Sequence, residues 1–260
     1  MIDYSFSIEN LEFFLLILIR ISCFIYAAPF FSQKGVPNRV KIGFSIFFAI
    51  LMYGVITERS IPSYNSVWGY GVLVCKEAMT GILIGYSAAI STHIIGFAGR
   101  IIDMETGMSM ANLIDPTTNE MTAITGVLYQ YTVTLILLIS GMMEFVLKAL
   151  AETFELIPVC GAILDTQRLF ESMIKFLSDY MSIGFRICLP IFAIMLILNA
   201  VLGIMTKVAP QVNMFAVGMQ IKVLVGIVAL FLTVGMLPLI SDMIFTEVKK
   251  IMVSVVGSMM

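Results

Sequence analysis

The chain has 260 residues, 60% of them hydrophobic and only 12% charged, against roughly a quarter charged in an average soluble domain. With a mean hydropathy of +1.02, too little polar surface is left to cover a core of this size, which excludes a soluble globular protein and implies an integral membrane or membrane-complex protein. The formal net charge of −2 argues against nucleic acid as the main partner.

The first ten residues, MIDYSFSIEN, carry Asp3 and Glu9 and no Lys or Arg. A cleaved signal peptide needs a basic start, so the first apolar segment is expected to be retained. Apolar segments follow at 11–31 (interrupted by Glu12 and Arg20), 42–57, 78–99, 122–143, 187–206 and 223–241. A helix of about 20 residues crosses the hydrocarbon core, so these predict an all-α membrane protein of about six hydrophobic helices in a single domain, 1–260. The second segment is short, which suits a tilted, re-entrant or complex-buried helix.

Two helices outrun their apolar cores. The helical pattern from Thr122 continues through Glu144, Lys148 and Glu152 to Ile157, where Pro158 stops it. At 1.5 Å per residue that is about 54 Å, well beyond one bilayer core. Residues 165–180 return as an amphipathic helix, with Leu169, Phe170, Met173, Ile174, Leu177 and Tyr180 on one side and Glu171 and Lys175 on the other. One reading is a long helical hairpin that leaves the membrane slab; the other is an ordinary span followed by an interfacial helix. The charges leave orientation open. Lys34, Arg39 and Lys41 favour a cytoplasmic first loop, whereas the 144–182 connection and Lys249–Lys250 disagree.

The third apolar segment has a smooth face, with Glu77, Gly81, Gly85 and Ala89 four residues apart. Small residues let backbones approach closely in a membrane, so this strip docks either a partner helix or a helix of the same chain. Lys76 and Glu77 are adjacent and point about 100° apart, so each needs its own partner, and Arg20 and Lys222 are the other isolated charges in apolar helices; ionisable groups at membrane depth are candidates for function. Arg20 and Lys222 could each pair with Glu77 or Glu12, or with another subunit, or snorkel towards a helix end. Asp103 lies three residues after Arg100, the spacing of a local helix pair. His93 has no second donor nearby, and no nucleophile accompanies Asp103 and Glu105. The four cysteines lack metal or redox spacing and read as small core residues. No catalytic, metal or cofactor site is therefore expected.

Two loops stand out. KVAPQVNMFAVG, at 207–218, is a built corner between long helices. Pro210 ends the first, Gln211 and Asn213 supply amides for freed backbone groups, and Met214 and Phe215 restart the second. The other loop is GMSMANLIDP, at 107–116. Gly107 supplies backbone freedom and Asp115 is held extended by Pro116. Met108, Met110, Leu113 and Ile114 present apolar groups between them. Methionine is adaptable, and the chain has 20.

The order of these residues resembles the FliR/SctT family of export-gate membrane proteins in type III secretion, and the flagellar branch more than the injectisome branch. The resemblance rests on Arg20, Pro29-Phe30, Val36-Pro37 and Lys41, then on Glu77, Gly81, Gly85, Gly99, Asp103, Gly107 and Asp115-Pro116. It ends with Ala209 to Phe215, Gly218, Lys222 and Gly226. It implies a non-enzymatic subunit packed with FliP-like and FliQ-like subunits into a hetero-oligomeric export gate. That gate stands largely above the plane of the bacterial inner membrane, in the flagellar basal body. FlhB-like and FlhA-like export proteins, membrane lipid and unfolded flagellar polypeptides are the implied partners. In the family, the loop after the third helix plugs the closed channel; by position it is 107–116. Relatives tend to carry Phe where this chain has Met110 and Leu113, which keeps the apolar character and loses aromatic bulk. The rival reading is a self-sufficient secondary transporter with Lys222, Glu77 and the 207–218 corner as its site.

Overall fold

The computed structural model describes residues 8–33, 35–56, 64, 66–111, 113–114, 121–122, 124–163, 165–209, 211 and 214–260. The described residues are helical almost throughout. The helices are α1 (Ile8–Ala27), α2 (Asn38–Val55), α3 (Val67–Thr92), α4 (Ile94–Thr106), α5 (Ile124–Ile139), α6 (Met142–Leu156), α7 (Thr166–Val208), α8 (Met214–Thr233) and α9 (Leu237–Gly257). Between α4 and α5 come a 3₁₀ turn, Met108–Ala111, and two short antiparallel strands, β1 (Leu113–Ile114) and β2 (Met121–Thr122). Leu113 pairs with Thr122 and Ile114 with Met121.

The membrane class expected from composition holds. Among the described residues, four helical runs are long and apolar enough to cross a bilayer: Asn38–Val55, Val67–Thr106, Thr166–Val208 and Val217–Gly257; counting α5 and α6 as one broken span makes five. Most described residues of the six apolar segments lie in helices. The first, α1, is not among the candidate spans; it carries Glu12 and Arg20, and its core side is covered by its own chain.

The helix expected from Thr122 to Ile157 is interrupted. Gly141 has φ +80 and separates α5 from α6. A Cβ there would meet nothing within 4 Å, so it is the left-handed backbone, not crowding, that calls for glycine. In contrast, α7 runs unbroken for 43 residues despite Pro190, about 65 Å at 1.5 Å per residue.

The chain divides into two units. The first comprises Met1–Ile90, Gly141–Phe176 and Glu247–Met260. Its core is built around α1, whose Phe13, Leu16, Ile17, Ile21, Phe24 and Ile25 are buried at helical spacing. Val146, Leu150 and Phe154 of α6 and Val248, Ile251 and Val255 of α9 are buried in the same unit. The C-terminus is tied down, because the Ile163 N–H donates to the Met259 carbonyl at 2.9 Å. The second unit comprises Ser91–Ser140 and Leu177–Thr246. In it α4 lies against α5, with Ile94, Ile95, Ala98 and Ile102 buried on one helix and Tyr129, Val133 and Leu137 on the other.

Much apolar surface stays bare. Only 22% of the candidate span in α2 is buried within the chain, and the same share in α7 and in the α8–α9 run, against 56% for α3–α4. The α3–α4 window is thus the most covered of the four, and the other three present apolar side chains that lipid or another protein must cover.

Candidate functional site: a buried ion pair and a clamped helix junction

Within the first unit, Arg20 of α1 and Glu77 of α3 are both fully buried and form an ion pair. Arg20 Nε donates to Glu77 Oε2, and Nη2 donates to Oε1 at 2.9 Å, the fork geometry that suits guanidinium and carboxylate. The remaining donors are also used: Nη1 donates to the Ile157 carbonyl at 2.9 Å and Nη2 to the Pro158 carbonyl at 3.3 Å. The Phe154 ring lies under the guanidinium, 4.5 Å from Cζ. Glu77 Oε1 accepts a further bond from the Cys160 N–H at 2.6 Å. The pair therefore holds α1, α3 and the turn after α6. Cys160 sits at φ +66, unusual for a residue with a side chain. Burial, and next the Glu77 charge, push its thiol up to about 11.

The glycine strip explains how α1 and α3 come so close. A Cβ at Gly81 would overlap the Arg20 carbonyl oxygen, and one at Gly85 would lie 2.6 Å from the Phe24 carbonyl oxygen. Gly81 and Gly85, expected among the subunit-packing residues, thus dock on α1 of their own chain. A partner helix cannot use that face, because the α1 backbone already fills it.

The second unit holds the start of the expected plug. Gly107 caps α4 in the left-handed conformation, φ +80. Asp103 does not pair with Arg100 among the described residues. Arg100 is exposed, whereas Asp103 is 1% exposed and turned inward. Both Asp103 carboxylate oxygens accept from the Thr125 N–H, each at 3.3 Å, at the start of α5. Thr125 Oγ1 contacts Met108 Sδ at 3.9 Å. A Cβ at Gly99 would collide with the Gly126 backbone, so α4 and α5 touch backbone to backbone. The sequence signal for this junction existed in Gly99 and Gly126, but nothing local matched one to the other.

Other expected residues are dispersed. Lys222 is half-buried on α8 and makes no ion pair among the described residues. Gln211 is exposed in a turn. Asp115, Pro116, Pro210 and Asn213 lie outside the described residues, as do the side chains of Met110, Leu113, Ile114 and Phe215. His93, expected to be structural, is exposed where α3 gives way to α4, and its carbonyl accepts from the Tyr180 hydroxyl at 3.1 Å. Cys75 is exposed, contrary to its reading as a core residue, while Cys160 and Cys188 are buried and Cys23 is half-buried.

Comparison with known proteins gives the same outline. A family model described as "Bacterial export proteins, family 1" matches residues 11–248. The flagellar biosynthetic protein FliR of Bacillus subtilis (strain 168) is 28% identical over 250 residues, covering 94% of this chain and 95% of that one. FliR of Escherichia coli (strain K12) is 25% identical over 248 residues, covering 93% and 92%. The surface presentation of antigens protein SpaR of Shigella flexneri is 25% identical over 235 residues, covering 88% and 90%. The matched region takes in both the Arg20–Glu77 pair and the α4–α5 junction, and the chain belongs to the bacterial export protein family 1, the FliR/SctT family that its residues resemble.

Proposed function

We propose that the chain is a non-enzymatic subunit of the flagellar type III export gate in the bacterial inner membrane, helping to form and plug the channel that passes unfolded flagellar proteins. The observation that carries this reading is the end-to-end match to flagellar biosynthetic relatives, over more than nine-tenths of both chains. The bare apolar faces of α2 and α7 support it, because a gate subunit needs surfaces for FliP-like and FliQ-like neighbours. FlhB-like and FlhA-like export proteins complete the proposed set of partners. The plug is assigned to 107–116, between α4 and α5, with Met108, Met110, Leu113 and Ile114 as its apolar groups.

Co-purification tests the reading. The tagged chain is expressed alone and then with FliP-like and FliQ-like subunits, and the detergent-extracted particle is weighed by native mass spectrometry. A defined complex several times the mass of the 28.7 kDa chain, formed only with those subunits, is expected. A stable monomer or homodimer that ignores them would favour the self-sufficient transporter.

A further inference from the structure

We propose that Asp103 is the positioning residue of the plug: its carboxylate fixes the first turn of α5 to the last turn of α4, and so sets the base of the segment that joins them. This inference rests on the plug reading above and adds to it the group that holds the segment in register.

The first N–H groups of any helix lack intrahelical acceptors. A Ser, Thr, Asp or Asn just before the helix usually supplies one. Before α5 the sequence has Ala123, whose side chain cannot accept. Asp103, 22 residues away along the chain, takes that place by accepting from the Thr125 N–H with both oxygens. A carboxylate at a helix start is also favoured by the helix dipole, and this one is buried, where water screens it little.

Three further contacts surround the bond. Gly99 and Gly126 bring the two backbones together. The Thr125 hydroxyl reaches Met108, the first residue after Gly107. Thr106, at the end of α4, packs against α8, where a Cβ at Gly226 would lie 2.7 Å from the Thr106 methyl group. The end of α4 is therefore braced from α8, and the start of α5 is braced from α4. The described backbone between them, the 3₁₀ turn and the β1–β2 pair, starts and finishes at this one junction.

The test uses the assembled complex in membranes and reads three quantities for each variant: small-solute leak, export of a flagellar substrate, and yield of complex. Asp103→Ala is expected to raise the leak several-fold while export and yield stay at the unaltered level. Asp103→Asn keeps an acceptor oxygen for Thr125 and is expected to show no measurable rise. Met108, Met110 and Leu113 changed together to Ala serve as the reference for the plug itself. A leak from the triple variant with none from Asp103→Ala would overturn the positioning role and leave the plug reading standing. No leak from the triple variant would overturn both. A parallel loss of yield and export in Asp103→Ala without leak would make Asp103 merely structural, and an Asn variant that leaks like Ala would rule out the hydrogen bond as its means.

Discussion

At the residue scale the Arg20–Glu77 pair dominates. Two charges with no exposure are costly to desolvate, and the cost is met only because each finds several partners. Removing one partner leaves the other uncompensated, so Arg20→Ala or Glu77→Ala is expected to lower unfolding stability by ~3–5 kcal/mol. Arg20→Lys should rescue little, since an ammonium cannot make the fork and also reach both carbonyls. Denaturant titration of the detergent-solubilised chain checks both. The Cys160 thiol gives a second readout. Its pKa is raised from 9.0 to about 11, so the folded chain keeps a proton that the unfolded chain releases. The resulting stability is fully present below pH 9 and is lost as pH rises from 9 towards 11. Cys160→Ala should flatten that alkaline decline, and at neutral pH a maleimide should label exposed Cys75 and spare Cys160. Arg20 was legible in the sequence as a lone charge among apolar residues, and Glu77, diverging from its neighbour Lys76, was one of few possible partners. The carbonyls of Ile157 and Pro158 and the Cys160 amide were not legible, because backbone groups carry no mark of which distant side chain will reach them.

The elements show where sequence patterns inform and where they mislead. The spacing of Glu77, Gly81 and Gly85 marked one close-packing face correctly, but spacing cannot say which helix lies against it. Gly81→Ala must push a Cβ into the Arg20 carbonyl, and backbone cannot give way as a flexible side chain can. We expect loss of folded protein. Gly43→Ala on α2, where a Cβ meets nothing within 4 Å, should be neutral or stabilising by up to ~1 kcal/mol. Comparing the thermal midpoints of the two variants checks this. The α5–α6 break carries no clear mark in the sequence, because a lone glycine is tolerated inside a helical pattern and apolar periodicity continues on both sides of Gly141. The start of α7 shows a further limit. At 100° per residue its apolar groups form one broad arc, of which Phe176 is buried, Leu169 and Met173 are half-buried, and Phe170, Ile174 and Leu177 are more than half exposed. Periodicity marks the arc but not which edge of it the chain covers.

For the molecule as a whole, the exposed edge of this arc on α7 bears on how the chain is covered. Its charge-free apolar stretch is 187–206. If that stretch occupies the hydrocarbon, Leu177 lies about 15 Å beyond it along the helix and Phe170 about 25 Å beyond. Phe170, Ile174, Leu177 and Met181 nevertheless form an exposed apolar stripe, 64%, 54%, 55% and 40% accessible. Lipid tails cannot cover a stripe that far from the core, so in a projecting helix another protein must. The proposed gate supplies one in its neighbouring subunits. Ile174→Gln with Leu177→Gln should therefore lower recovery of the co-expressed complex, while the unfolding of the isolated chain stays unchanged because both side chains are already exposed. Leu196→Gln, on an equally exposed side chain inside the apolar stretch, should instead impair membrane insertion. Native mass spectrometry gives the first outcome and membrane fractionation the second. Unchanged complex recovery for the double variant would mean that no subunit covers the stripe, and that the first turns of α7 rest on the membrane surface as an interfacial helix.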